Sequence, residues 1–168
     1  ALADGRTATG WSAEALSAKW FDKNPALTDA QNHHQLRRSV ELASEAYLAL
    51  PAGSAFSFFA RSYPEQMQAA AAERLNPLIA SFGPAMLDRA VLDALCRAQG
   101  LGFAAAMKIN LAGLRVSDLT PDLAGFDLDA FLAAQVPQQS LALRHTVGLA
   151  DPLTESDQQS RIGDGLPE

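Results

Sequence analysis

Three histidines, one cysteine and a few acid–base pairs are the side chains of this sequence with chemistry to offer. His33 and His34 are adjacent, and neighbouring side chains on a helix point about 100° apart, so the two cannot chelate one ion together. They read as a solvated helix surface, with His33 and Arg37 on one face. Asp88, Arg89 and Asp93 have the look of a charged constellation. Asp88 and Arg89 point apart, however, and Asp93 stands four residues before Arg97, the spacing of a surface ion pair. A second reading of Asp93 is a hold at a domain junction. Cys96, between Leu95 and Arg97, reads as a small buried hydrophobe. A lone cysteine excludes an internal disulfide and a multi-cysteine zinc site. Trp20 and Phe21 read as interface anchors, since aromatics carry large apolar area. The sequence has no glycine-rich phosphate loop, no G-x-S-x-G and no metal-spaced Cys/His set. His145 stands apart from these, near the end of an alternating apolar run.

The elements that must position these residues are mostly helical. Asp4-Gly5 is a hairpin signal, and Thr7, Thr9 and Trp11 alternate with Ala8 and Gly10 in a two-residue period. Too little chain precedes that turn for a full strand, so it reads as the last hairpin of a sheet whose earlier strands lie upstream. Helix is expected over 28–110. Thr28 and Gln31 have capping-box spacing. Leu36, Val40, Ala43, Tyr47 and Leu50 then share a face, and Pro51 and Gly53 end the helix. Phe56, Phe58 and Phe59 precede a second helix, with Ser62 as cap and Glu65 in its first turn. Its face is Met67, Ala71, Leu75 and Leu78, and Pro77 kinks or ends it near Asn76. Gly83-Pro84 punctuates the chain, with Pro84 suited to a first helical position. Leu87, Val91, Ala94 and Ala98 follow on one face, closed by Gly100. Beyond Leu114 comes a connection with one short helix, capped by Asp127 and running through Phe131 and Leu132. Pro137, Gln138 and Gln139 break it. Residues 140–147 read as a strand, Leu141 and Leu143 on one side, Ala142 and Arg144 on the other. The tail, 148–168, is polar, rich in turn residues and without a core of its own.

With 168 residues, a net charge of -6, 48% hydrophobic and 19% charged residues, the composition is that of a folded chain. The length fits one domain, or a small domain plus part of another, and excludes a complete (β/α)₈ barrel of roughly 200 residues or more. The acidic balance argues against a nucleic-acid partner, which calls for a basic patch. No run approaches the ~18 apolar residues of a membrane span, and Ala1 to Trp11 lack the regions of a signal peptide. A lone thiol fits the cytoplasm.

Several segments, in order, resemble a known family. These are Thr9-Gly10-Trp11-Ser12-Ala13-Glu14 followed by Lys19-Trp20-Phe21-Asp22-Lys23; the helix from Ser81 to Ala94, with Asp88-Arg89-Ala90 and Asp93-Ala94; and Arg144-His145-Thr146-Val147-Gly148, Asp151-Pro152 and Asp164-Gly165-Leu166-Pro167-Glu168. Together they are similar to the mandelate racemase/muconate lactonizing enzyme-like branch of the enolase superfamily, over nearly the whole chain. The resemblance implies an α+β, mostly helical fold. Residues 1–114 would be a capping domain of partial sheet plus helices. Residues 115–139 would be a connector, and 140–168 the first strand and loop of a truncated (β/α)₈ barrel. It implies a parent enzyme, a racemase, dehydratase or cycloisomerase, that removes a proton α to a carboxylate while Mg²⁺ stabilises the enediolate. Its partners would be the remainder of the barrel domain, a small carboxylate substrate and, in a homo-oligomer, further copies. His145, Thr146 and Asp151 would lie at the active-site rim, with 148–164 a loop over its mouth. The superfamily's base lysines and metal carboxylates have no counterpart in these residues. No catalytic, cofactor-binding or metal-binding residue is therefore assigned, and the chain alone is expected to be inactive. The competing reading is a free-standing helical module for interaction or ligand binding, with no enzymatic activity.

Overall fold

The computed structural model describes residues 2–14, 17–144 and 154–157. They form two units, 1–135 and 136–168. The first holds α1 (Ala18–Phe21), α2 (Asp29–Ala49), α3 (Ala55–Ala72), α4 (Pro77–Gln99), α5 (Phe103–Lys108) and α6 (Leu128–Ala133), with single 3₁₀ turns at Val116–Asp118 and Pro121–Leu123. Of the second, residues 136–144 carry no regular element and Glu155–Asp157 is a 3₁₀ turn.

Helix α2 starts where the spacing places it. Thr28 Oγ1 accepts from the Gln31 N–H at 3.3 Å, and Gln31 Oε1 accepts from the Thr28 N–H at 2.8 Å. Two orphan donors of the first turn are thus satisfied reciprocally. Helix α4 ends on Gly100 at φ 66°, the left-handed conformation that glycine takes without strain. Two starts differ from expectation. Helix α3 is capped by Ser54, whose Oγ accepts from the Ser57 N–H at 3.2 Å. The Phe56–Phe59 cluster is therefore its first turn. Ser62 is buried inside it, its hydroxyl donating to the Phe58 carbonyl at 2.8 Å. Helix α4 begins at Pro77 with Asn76 as cap, and Pro84 lies in its interior.

Pro84 explains how the bundle is joined. It has no N–H, so the carbonyl four residues back, that of Ala80, loses its helical donor. Ser39 Oγ of α2 donates to that oxygen at 3.0 Å, and Gln66 Nε2 of α3 does so at 3.0 Å. The Gly83 N–H in turn donates to Ser39 Oγ at 2.9 Å. Here α2 and α4 touch backbone to backbone: a Cβ on Gly83 would sit 2.0 Å from the Ser39 carbonyl oxygen. Further along, Tyr47 meets Asp88, so α2 and α4 run in the same direction. Helix α3 opposes them, with Gln66 against Ser39 and Phe58 against Tyr47. Around this junction Leu36, Ile79, Phe82 and Ala18 form one apolar cluster, and Leu42, Ala70 and Ala80 a second.

The fold is mostly helical as expected, but the expected sheet and barrel start are not there: among the described residues no strand exists. The turn at Asp4-Gly5 forms, with Gly5 at φ 83° and the Leu2 N–H donating to the Arg6 carbonyl at 2.8 Å. The chain beyond it does not pair with another strand, and a strand needs a ladder to satisfy its backbone groups. It lies along α4 instead, in the opposite direction. Arg6 reaches the Ala98 carbonyl, the Trp11 N–H donates to Asp93 Oδ2 at 2.9 Å, and the Ser12 hydroxyl donates to the Met86 carbonyl at 2.8 Å. Gly10 presses so close that a Cβ would lie 2.1 Å from the Ala90 carbonyl oxygen. Residues 140–144 do not form the start of the expected strand either. Leu141 and Leu143 are 88% and 94% exposed, and alternation specifies a strand only where one face is buried. Residues 145–147 of that strand lie outside the described residues.

The junction yields a ranked prediction. Ser39→Ala strips the Ala80 carbonyl of one donor and should cost about 1–3 kcal/mol. Gly83→Ala drives a methyl into backbone and should cost about 3 kcal/mol or more. Urea denaturation of both variants checks the order; a neutral Gly83→Ala would contradict the close crossing.

Candidate functional site

The side chains that the fold brings together most distinctively are Tyr47 and Asp88. They are far apart in sequence. From the Ser39–Gly83 crossing, Tyr47 stands a little over two turns along α2 and Asp88 a little over one turn along α4, so the parallel course of the two helices makes them meet. Tyr47 Oη donates to Asp88 Oδ1 at 2.5 Å, and the Tyr47 ring stacks on Phe58 at 5.9 Å and 17°. Burial pushes the Asp88 carboxyl above its ordinary range, with the Tyr47 hydrogen bond pulling the other way. The Tyr47 phenol is pushed far up, first by burial and then by its bond to Asp88.

Beside this pair lies a cavity of about 130 Å³. Phe56 and Phe59 of α3, Leu92 of α4, and Ala112 and Leu114 of the loop after α5 line it together with Asp88. That loop is held in place by its backbone. The Phe56 N–H donates to the Ala112 carbonyl at 3.0 Å. Asn110 Oδ1 accepts from the Leu114 N–H at 2.7 Å, while its amide donates to the Leu114 carbonyl at 3.0 Å. Gly113 turns the chain at φ 70°. The cavity is thus a small apolar hollow, partly open to solvent, with a single carboxylate in its wall among the described residues.

The residues singled out in the sequence fall elsewhere. His145, Thr146 and Asp151 lie outside the described residues. His34 is exposed on α2, and His33 is half-buried there. Asp93 and Arg97 make the expected ion pair at 2.8 Å, but Asp93 also anchors the N-terminal segment through the Trp11 N–H. Those two hydrogen bonds, that of Arg97 foremost, hold its carboxyl below the usual range. The Arg97 guanidinium lies 4.8 Å from the Trp11 ring centroid. Arg89 pairs with Glu14 at 3.0 Å. Cys96 is buried. Phe21 packs edge-on against Phe82 in the first apolar cluster, and Trp20 is 65% exposed. Among the described residues no three His, Cys, Asp or Glu side chains converge, so these residues offer no donor set for Mg²⁺. Among them, no helix is long and apolar enough to cross a membrane. The chain matches no family model, no curated protein and no solved structure.

Sequence reasoning set Asp88 aside by comparing it only with Arg89. The available signal was its place beside the apolar stripe, one residue after Leu87 and about one turn before Leu92.

The raised pKa of Asp88 has a definite sign. The folded state favours the protonated acid, so stability is lost as pH rises from the ordinary carboxylate range, about 3.9, through the raised value. Asp88→Asn removes that loss and keeps an acceptor for Tyr47. Its stability relative to the native chain should therefore grow between pH 3.5 and pH 7, a range of roughly three to four units chosen to bracket the shift. Parallel denaturation curves at the two pH values measure it; a gap that shrinks with rising pH would be the contrary result.

Proposed function

We propose that the chain is the N-terminal part of an enolase-superfamily enzyme, of the mandelate racemase/muconate lactonizing enzyme-like branch. One observation supports this reading. Two segments that carry the resemblance, 9–14 and 81–94, lie against each other. Trp11 is anchored on Asp93, Ser12 on Met86, Glu14 on Arg89, and Gly10 on the backbone of Ala90 and Ala94. Two segments far apart in sequence thus make one packed unit in space. On this reading the parent removes a proton α to the carboxylate of a small substrate, the remainder of the barrel domain is its principal partner, and further copies form a homo-oligomer. Its place is the cytoplasm, where the buried thiol of Cys96 stays reduced. Mg²⁺ is the metal the superfamily uses to stabilise an enediolate. The described residues do not fit it, so no step through it is assigned to them.

The test is proton exchange. The 168-residue chain with Mg²⁺ should leave the α-hydrogen of carboxylates such as mandelate unexchanged in D₂O by NMR, and the parent enzyme should exchange the α-hydrogen of its own substrate. Exchange by the 168-residue chain, or a parent with no such activity on any α-hydrogen-bearing carboxylate, would refute the reading.

A second reading, a helical ligand-binding module without catalysis, is favoured by the cavity at Asp88, which lies wholly within the unit 1–135.

A further inference from the structure

We propose that the cavity beside Asp88 binds a small organic ammonium ion, with the cation at the Asp88 carboxylate and the hydrocarbon part against Phe56, Phe59 and Leu92. The inference rests on the second reading above and goes beyond it by naming the chemical class of the ligand.

Charge carries the argument first. Among the described residues Asp88 is the one ionisable side chain in the wall of this hollow. Only one of its oxygens, Oδ1, has a donor among the described residues, the neutral phenol of Tyr47. No cation pairs with it there. Arg89, next in sequence, is engaged by Glu14, and Arg97 by Asp93. A half-buried carboxylate without a counter-charge is costly. A ligand that brings a positive charge removes that cost; an anion is repelled, and a neutral molecule leaves the cost in place. A metal ion is disfavoured, because a single carboxylate among hydrocarbon side chains provides too few ligands.

Shape and surface carry the rest. Phe56 and Phe59 present rings 6.4 Å apart and tilted by 41°. The rings give the hydrocarbon part a large apolar surface to cover. The volume, about 130 Å³ in a hollow partly open to solvent, sets the ligand at a few non-hydrogen atoms. That suits an aliphatic chain of about four carbons.

The experiment titrates the 168-residue chain with n-butylammonium chloride and, separately, with its neutral isostere 1-butanol, followed by NMR. The expected result is saturable shifts confined to Phe56, Phe59, Leu92 and their neighbours, with n-butylammonium binding roughly tenfold or more tighter than 1-butanol. Asp88→Asn should erase that preference. If the variant does not fold, the comparison of the two ligands on the native chain decides alone. Equal binding of both ligands would overturn the ammonium assignment and leave the ligand-binding reading standing. Shifts scattered over the acidic surface, or no binding of either ligand, would overturn both.

Discussion

The carbonyl oxygen of Ala80 is the point on which this molecule turns. Pro84 deprives it of its helical donor, and a buried carbonyl without a donor is expensive. Ser39 from α2 and Gln66 from α3 supply what the proline withholds. Three helices are therefore tied at one atom, and the contacts further along, Tyr47 with Asp88 and with Phe58, fix their directions. The glycine before the proline lets the backbones of α2 and α4 meet there. The meeting of Tyr47 and Asp88 further along, and the cavity beside them, follow from that crossing.

The tie has an internal tension. Gln66 uses both hydrogens of its amide, one toward the Ser39 carbonyl and one toward that of Ala80. Its own oxygen is buried without a donor among the described residues. One amide oxygen is left wanting so that two main-chain oxygens are not. The arrangement is directional in a way that apolar packing is not, and the clusters around it mix the small Ala18, Ala70 and Ala80 with the larger Leu36, Leu42, Ile79 and Phe82. Hydrogen bonding at the junction and the packing of these larger side chains together hold the helices in register.

What could be read in the sequence was local. The Thr28 cap, the Gly100 terminus and the Asp127 cap of the short helix α6 each depend on residues three or four apart, and each forms. The misreadings share the opposite property. Ser62 has the chemistry of a cap, but Ser54 precedes the aromatic turn and takes that role first. Pro84 suits a first turn, and only the polar groups of two other helices make it acceptable in an interior. The alternations near Thr9 and Leu141 are strand patterns that find no strand among the described residues, and pairing is a property of distant chain. Tyr47 and Asp88 were each visible, but their meeting depended on a crossing created by Gly83 and Ser39. His145 and the rim residues fall outside the described residues.

The two tryptophans of the chain sit on its first twenty residues. Trp11 rides on the outside of α4 beneath Arg97, 63% exposed, and Trp20 stands edge-on to Phe21. Neither indole lies in the apolar clusters around Leu36 and Leu42. Intrinsic fluorescence of this protein is therefore an optical gauge of its leading segment rather than of its helical interior. The emission of Trp11 reports whether the extended arm is seated on α4, with the guanidinium as a nearby influence on its indole. Dissolution of the bundle unseats both indoles as well, so the far-ultraviolet signal of the helices is needed to tell release of the arm from loss of the bundle.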